Sequence, residues 1–137
     1  MCLLVLAWNS HPRYRLIVAA NRDEFHDRPT APLGWWPDDS RILAGRDLRG
    51  SGTWLGAARS GRFGVVTNFR EFEHPAADAP SRGDLVRRFL SEAISPQEYF
   101  DDLRNRAPSY AGFNLLLGGP RTLYYYSNRD GLEARPL

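Results

Sequence analysis

The chain opens with the apolar stretch Cys2-Leu-Leu-Val-Leu-Ala-Trp8, and a second one, Arg15-Leu-Ile-Val-Ala-Ala20, follows closely. The segment Asn9-Ser-His-Pro12 between them is rich in turn residues, and Pro12 has no N–H to donate to a strand ladder. The pattern predicts two antiparallel strands joined by a turn. Because both stretches are apolar on both faces, we expect sheets that are covered on both sides.

The remaining pattern adds five strands and two helices. Strands are expected at 42–47, 53–58, 62–69, 112–117 and 122–127. Ser81 and Ser95 are each followed three residues later by an acid, a spacing typical of helix N-terminal caps. The stretch 27–39 holds prolines and paired tryptophans, which indicates a long loop. Strands, then helices, then strands indicate an α+β fold with largely antiparallel sheet.

Composition narrows the function classes. The chain has 137 residues and a net charge of +2, which fits a single domain with no strong preference for polyanions. All eighteen basic side chains are arginines, so lysine Schiff-base chemistry is excluded. The arginines are spread along the chain, whereas nucleic-acid binding requires a basic stripe with interleaved aromatics. We therefore expect no nucleic-acid partner.

One cysteine cannot form an internal disulfide, which suits a reducing compartment. The first apolar stretch is too short for a signal-peptide core or a membrane span. A cytoplasmic protein without a membrane span is the resulting prediction. His11, His26 and His74 lack metal-ligand spacing, so no metal site is expected.

Cys2 is the first candidate for chemistry. Removal of Met1, which small second residues permit, leaves Cys2 with a thiol of pKa about 8.5 and an α-amine of about 7.7–8.0. One residue then supplies both a nucleophile and a proton acceptor, as in N-terminal nucleophile hydrolases. The alternative is a small buried hydrophobic residue at the start of a strand.

The second candidate feature is Asn21-Arg22-Asp23-Glu24, which ends the second predicted strand. A hairpin register brings this segment near Cys2. There an arginine favours the thiolate, a carboxylate holds the α-amine or orients the arginine, and an asparagine amide donates to an oxyanion. The alternative is a polar turn with surface ion pairs.

Several motifs then occur in a fixed order. They are Met1-Cys2, Ala20-Asn-Arg-Asp-Glu-Phe25, Arg28-Pro-Thr30, Ala44-Gly-Arg-Asp47, Gly52-Thr-Trp-Leu-Gly56, Thr67-Asn-Phe-Arg70, Ser81-Arg-Gly83 and Gly112-Phe-Asn-Leu-Leu116. Together they closely resemble the NRDE family, the family of the transport and Golgi organisation protein 2. The resemblance covers nearly the whole chain. It implies one NRDE-type domain over 1–137 that forms the N-terminal portion of a longer protein.

The resemblance also implies an αββα-type sandwich similar to N-terminal nucleophile hydrolases. In that superfamily, the cholylglycine hydrolase and penicillin V acylase group also begins with Met-Cys. Carried across, Cys2 is the nucleophile, Arg22 its electrostatic partner, and Asp23 the group that holds the α-amine. Asn68 is the best available candidate for an oxyanion donor.

Four further residues are assigned to substrate binding: Asn21, Glu24, Arg46 and Trp54. Gly45-Arg46-Asp47 and Gly52-Thr53-Trp54 are interpreted as a wall of the site, the alternative being a tight turn beside a core tryptophan. Trp35-Trp36 is interpreted either as a lid over an apolar ligand or as packing of the loop onto the domain.

Two functional hypotheses remain open. The first is a cofactor-free amidohydrolase that cleaves a C–N bond of a small-molecule amide through an acyl-thioester at Cys2. The second is a non-catalytic carrier or chaperone for haem or an acyl or lipid ligand, with Cys2 or His26 as an axial haem ligand. It rests on the family's association with haem and lipid handling. A scaffold that kept the fold but lost activity is a third interpretation.

Overall fold

The computed structural model describes residues 2–69, 78–131 and 133–137. Met1, Arg70 and His74 lie outside the described residues, as does most of the loop expected at 71–80.

The described chain is α+β, as the sequence predicts, and its sheets are antiparallel throughout. The strands are β1 (Leu3–Trp8), β2 (Leu16–Asn21), β3 (Thr30–Trp35), β4 (Ile42–Asp47), β5 (Leu55–Ala58), β6 (Phe63–Asn68), β7 (Phe113–Gly118), β8 (Leu123–Ser127) and β9 (Arg135–Pro136). The helices are α1 (Gly83–Ser91) and α2 (Pro96–Arg106), followed by a short 3₁₀ turn at Ala107–Ser109.

The strands form two sheets. β1 and β2 pair only with each other, whereas β3 to β9 form a seven-stranded sheet in sequence order. One apolar layer lies between the two sheets, and a larger one lies between the large sheet and the helices. The arrangement is consistent with an αββα-type sandwich.

β6 shows why this segment is apolar on both faces. Val65 packs in the layer between the sheets, with Leu4 and Leu6 of β1. Val66 points the other way, into the layer that includes Phe89 of α1. Adjacent residues of a strand face opposite sides, so β6 contributes to both layers.

The sequence predicts that the small sheet is covered on both faces, but its outer face is exposed. Leu3 is 64% exposed and Val5 59% exposed, and Ile17 on β2 is also exposed. Within the described ranges, β1 and β2 are therefore covered on one face.

The prediction of a loop over 27–39 is wrong in part, because this stretch contains the strand β3. This strand pairs with β4 across an irregularity between Ala31 and Gly34. It lies at the edge of the large sheet, where Pro32 need not supply a ladder N–H. The prolines that indicated a loop are thus compatible with an edge strand.

The two helix starts have different outcomes. The capping box at Ser95 is confirmed: Ser95 Oγ accepts the N–H of Glu98, and the Glu98 carboxylate accepts the N–H of Ser95. The Ser81 cap is wrong, since α1 begins at Gly83 with Arg82 at the cap position and no side-chain cap bond. Gly83 O also accepts the backbone N–H of Thr53 at 3.1 Å, which ties the first turn of α1 to the segment before β5.

Candidate functional site

The register of the hairpin brings Cys2 and the Asn-Arg-Asp-Glu segment together. Leu3 of β1 lies opposite Asn21 of β2, so the residue before β1 meets the residues after β2. Cys2 Sγ accepts the backbone N–H of Asp23 at 3.5 Å. Asn21 Oδ1 accepts the N–H of Leu3 at 2.9 Å, which ties the two strand ends.

A cavity of about 340 Å³ lies over this juxtaposition. Seven of the eight residues assigned to the site from the sequence line it: Cys2, Arg22, Asp23, Glu24, Arg46, Trp54 and Asn68. The eighth, Asn21, is not among the lining residues. The cavity therefore collects side chains from both sheets around one thiol.

Asp47 is the centre of the charged wall. Its Oδ2 accepts from Arg28 Nη2 at 2.6 Å and from Arg28 Nε at 3.0 Å. Its Oδ1 accepts the backbone N–H groups of Arg49 and Gly50. Arg22 Nη2 lies 3.8 Å from Asp47 Oδ2 and 3.3 Å from Glu24 Oε2. These bonds fix Arg22 on the side of the cavity that Cys2 lines.

Burial acts to raise the pKa of the Asp47 carboxyl, but the hydrogen bonds from Arg28 and from the backbone of Gly50 and Arg49 outweigh it. The pKa of Asp47 consequently lies below its usual range. A lowered pKa stabilises the fold above the unfolded value of about 3.9, and this contribution is lost as the pH falls through the folded value.

We expect Asp47→Asn to lower the free energy of unfolding at pH 7 by about 1–3 kcal/mol, because Arg28 loses its charged partner. Chemical denaturation between pH 2 and pH 7 measures this. The variant should also show a smaller loss of stability in acid than the unsubstituted protein. Equal acid dependence of the two proteins would contradict this role of Asp47.

Arg46 connects the cavity with Trp36, the buried tryptophan that follows β3. Its guanidinium lies 4.3 Å from the centre of the Trp36 ring and binds Asp38 at 2.6 and 2.8 Å. Trp36 is only 4% exposed, and its Nε1–H donates to Ala44 O. Of the two interpretations of the tryptophan pair, the structure supports packing for Trp36. Trp35 is exposed, and the Arg59 guanidinium lies over its ring.

The start of α1 forms a third wall, which sequence reasoning did not assign to the site. Ser81, Arg82 and Gly83 line the cavity. Arg82 Nη1 donates to Gly112 O at 3.0 Å. The sequence signal for this wall is the Ser81-Arg-Gly83 motif, which belongs to the family pattern and contains the serine expected to cap α1, but to which no role in the site was assigned. Arg28 was missed in the same way, since its motif was not assigned a role.

A smaller cavity of about 270 Å³ shares Cys2 with the first one. It lies between the two sheets, with apolar walls that include Leu4, Leu6 and Leu116. At its polar side, Tyr125 donates its hydroxyl to Asn114 Oδ1 at 2.9 Å. Cys2 thus lies between a charged cavity and an apolar one.

Residues 2–69, 78–131 and 133–137 contain no group of three or more His, Cys, Asp or Glu side chains placed to hold a metal ion. His26 lies in an exposed turn and lines neither of the cavities that Cys2 lines. In the same ranges, none of the helices combines the length and apolar character needed to cross a membrane.

Comparisons with known proteins agree with the motif pattern. A family model described as Transport and Golgi organisation 2 matches residues 1–136. The Transport and Golgi organization 2 homolog of Mus musculus is 35% identical over 97% of this chain and 52% of its own length. The homolog of Homo sapiens is 34% identical over 94% of this chain and 51% of its own. The Drosophila melanogaster protein is 31% identical over 85% of this chain. The chain spans about half the length of these relatives, and it belongs to the Transport and Golgi organisation 2 family.

Proposed function

We propose that the protein hydrolyses a C–N amide bond with Cys2, after removal of Met1, as its nucleophile. The observation that carries this proposal is the position of the Cys2 thiol. It lies in a cavity that Arg22, Asp23 and Asn68 also line, within 3.5 Å of the Asp23 backbone N–H. Arg22, which also lines the cavity, supplies a positive charge on the wall of the site where the proposed attack takes place.

In the proposed reaction, the Cys2 thiolate attacks the amide carbonyl carbon and a C–S bond forms. The C–N bond then breaks, and the amine leaves with a proton from the Cys2 α-ammonium group. Water next attacks the thioester carbonyl carbon, and the α-amine accepts a proton from this water. The C–S bond then breaks, the carboxylic acid is released, and the Cys2 thiolate and the α-ammonium group are restored. No oxidant or cofactor is needed.

The charges of the cavity match this chemistry. Four arginines line it, Arg22, Arg28, Arg46 and Arg82, together with three carboxylates, Asp23, Glu24 and Asp47. An oxyanion that develops on the substrate carbonyl gains from donors held in place before the reaction. Asn68 ends β6 on the cavity, where its amide is a candidate for such a donor.

The test is a trapping experiment on the purified protein. The protein is incubated with the 4-nitroanilides of acetate, hexanoate and phenylacetate. The reaction is then quenched with acid, and the mass of the intact protein is measured by mass spectrometry. We expect loss of the Met1 mass in the resting protein. With at least one probe, we expect an added acyl mass on the N-terminal peptide and release of 4-nitroaniline.

The controls separate the chemistry from adventitious labelling. Cys2→Ser is expected to bind the same probes but to give no thioester mass that hydroxylamine removes. Ser109→Ala, an exposed position in the 3₁₀ turn, should behave like the unsubstituted protein. Retention of Met1 in an otherwise folded protein would overturn the proposal.

A second candidate function is the carriage of an apolar ligand without catalysis. The apolar cavity between the sheets favours it, because Cys2 lies beside Leu4 and Leu6 there. Haem titration followed at the Soret band, with Cys2→Ala and His26→Ala, tests the haem version. A saturable shift that Cys2→Ala removes would support it, and no shift in the unsubstituted protein would exclude it.

A further inference from the structure

A larger groove of about 790 Å³ lies away from Cys2. It is formed by the turn before β6, the end of α1 with the start of α2, and the turn between β7 and β8. Arg62, just before β6, lines this groove, whereas Asn68 at the other end of β6 lines the Cys2 cavity. Six residues of extended strand separate the two positions by about 20 Å. The groove is therefore distinct from the candidate site.

Arg62 is the unusual residue of this groove. It is partly buried, and its guanidinium lies 4.4 Å from the centre of the Phe89 ring. The guanidinium makes no hydrogen bond or ion pair with any residue that the structure describes. Burial lowers the pKa of Arg62, against a smaller opposite effect of Glu92. The guanidinium is only partly buried and has an aromatic ring but no hydrogen-bond acceptor beside it, so an anion bound there would accept charge-assisted hydrogen bonds that no described protein group accepts.

The other charges of the groove leave this position unsatisfied. Arg41 is held by Asp39, and Arg59 donates to Ser40 O. The Glu92 carboxylate accepts from Arg88 at 3.1 Å. Arg121 at the rim, like Arg62, has no partner among the described residues. Four arginines thus line the groove with one carboxylate. The guanidinium N–H groups of two of these arginines, Arg62 and Arg121, are available to donate to a ligand.

The larger part of the lining surface is apolar, although Ser60, Ser91, Ser95 and Thr122 also contribute to it. The apolar part includes Ala58, Leu90, Ile94, Pro96 and Pro120. A ligand that pairs only with Arg62 would leave this surface in water, whereas a ligand with an apolar body would cover it. Charge and surface together specify an anion attached to a compact apolar group.

We propose that this groove binds a small molecule carrying a carboxylate or a phosphate monoester on a compact apolar body. The anionic group lies on the Arg62 guanidinium with Arg121 at the rim, and the apolar body lies on Ile94 and Pro120. The proposal does not depend on the chemistry of Cys2.

The test is an NMR titration with three probes: 4-phenylbutyrate, phenyl phosphate and the neutral 4-phenylbutanol. We expect saturable shifts of the Ile94 and Ala93 methyl signals with one or both anions, at millimolar affinity for ligands of this size. The neutral alcohol should bind at least about fivefold more weakly. The two anions distinguish a carboxylate ligand from a phosphate ligand.

Variants assign the binding to the groove. Arg62→Gln should weaken binding of the preferred anion about tenfold, and Arg121→Gln, at an exposed position, should weaken it about threefold. Arg104→Gln on the exposed face of α2 and Cys2→Ser should leave it unchanged. If Arg62→Gln does not fold, Arg121→Gln decides.

The proposal would be overturned by equal binding of the neutral alcohol, by binding that neither arginine variant weakens, or by the absence of saturable shifts with both anions. A loss of binding in Cys2→Ser would also overturn it, since the probe would then lie in the other cavity.

Discussion

Cys2→Ala is expected to reduce amide hydrolysis by about 10⁴-fold, to the level of the uncatalysed reaction plus any contribution of the cavity charges. The expectation rests on the proposed function and on the fact that Cys2 is the only thiol in the chain. Among the described residues that line the cavity, the only serine is Ser81, which lies on the α1 wall. We therefore expect no neighbouring serine to replace the Cys2 thiol.

The measurement is the release of 4-nitroaniline under single-turnover conditions, with stability followed in parallel by thermal unfolding. Cys2 is half-buried and makes one weak hydrogen bond, so the substitution should change the unfolding temperature little. Cys2→Ser keeps the shape and provides the matched control. Turnover in Cys2→Ala within tenfold of the unsubstituted protein would show that another group performs the chemistry.

Gly52→Ala is expected to lower the free energy of unfolding by about 3 kcal/mol. A Cβ at this position would lie 2.6 Å from Gly83 O and 2.8 Å from Asp84 N. These are backbone atoms of the first turn of α1, which cannot turn aside as a flexible side chain can. The added methyl group would push α1 away and stretch the bond from Thr53 N–H to Gly83 O.

Chemical denaturation measures the effect, and Gly119→Ala is the matched control. A Cβ at Gly119 would meet no atom within 4 Å, so that substitution should cost less than about 1 kcal/mol. Gly52→Ala should also weaken the binding of any ligand in the Cys2 cavity, because Gly83 lines this cavity. Equal stabilities of the two variants would contradict the close approach of Gly52 and Gly83.

Much of the fold could be predicted from the sequence because its signals are local. Alternating and continuous apolar stretches predicted the hairpin of β1 and β2, and the Ser95 capping box fixed the start of α2. The edge strand β3 could not be predicted this way. Pro32 within it and Pro29 and Pro37 beside it are typical of loops, and it is a strand because β4 supplies the pairing. The prediction of a Ser81 cap failed because α1 begins at Gly83, with Arg82 and not Ser81 at the cap position.

The site was predictable where a hairpin alone creates it. The register of two adjacent strands placed Cys2 beside Arg22 and Asp23. The clamp between Arg28 and Asp47 joins residues 19 positions apart through the pairing of β3 with β4, and that strand pairing was not expected. The unpartnered Arg62 had no sequence signal, because only tertiary packing shows which arginine lacks an acceptor.

The hairpin that carries Cys2 forms a sheet of its own. We therefore expect its free energy of local opening to be lower than that of the large sheet. Its strands share no ladder with β3 to β9, so side chains such as Leu6 and Trp8 hold it against β6 and β7. A hairpin held in this way can detach while the large sheet stays intact, and its backbone amides would then exchange with deuterium sooner than those of β6. Cys2, the proposed nucleophile, therefore lies on the layer that we expect to be more loosely attached, and ligands that bridge Cys2 and Asn68 would slow exchange of the hairpin amides.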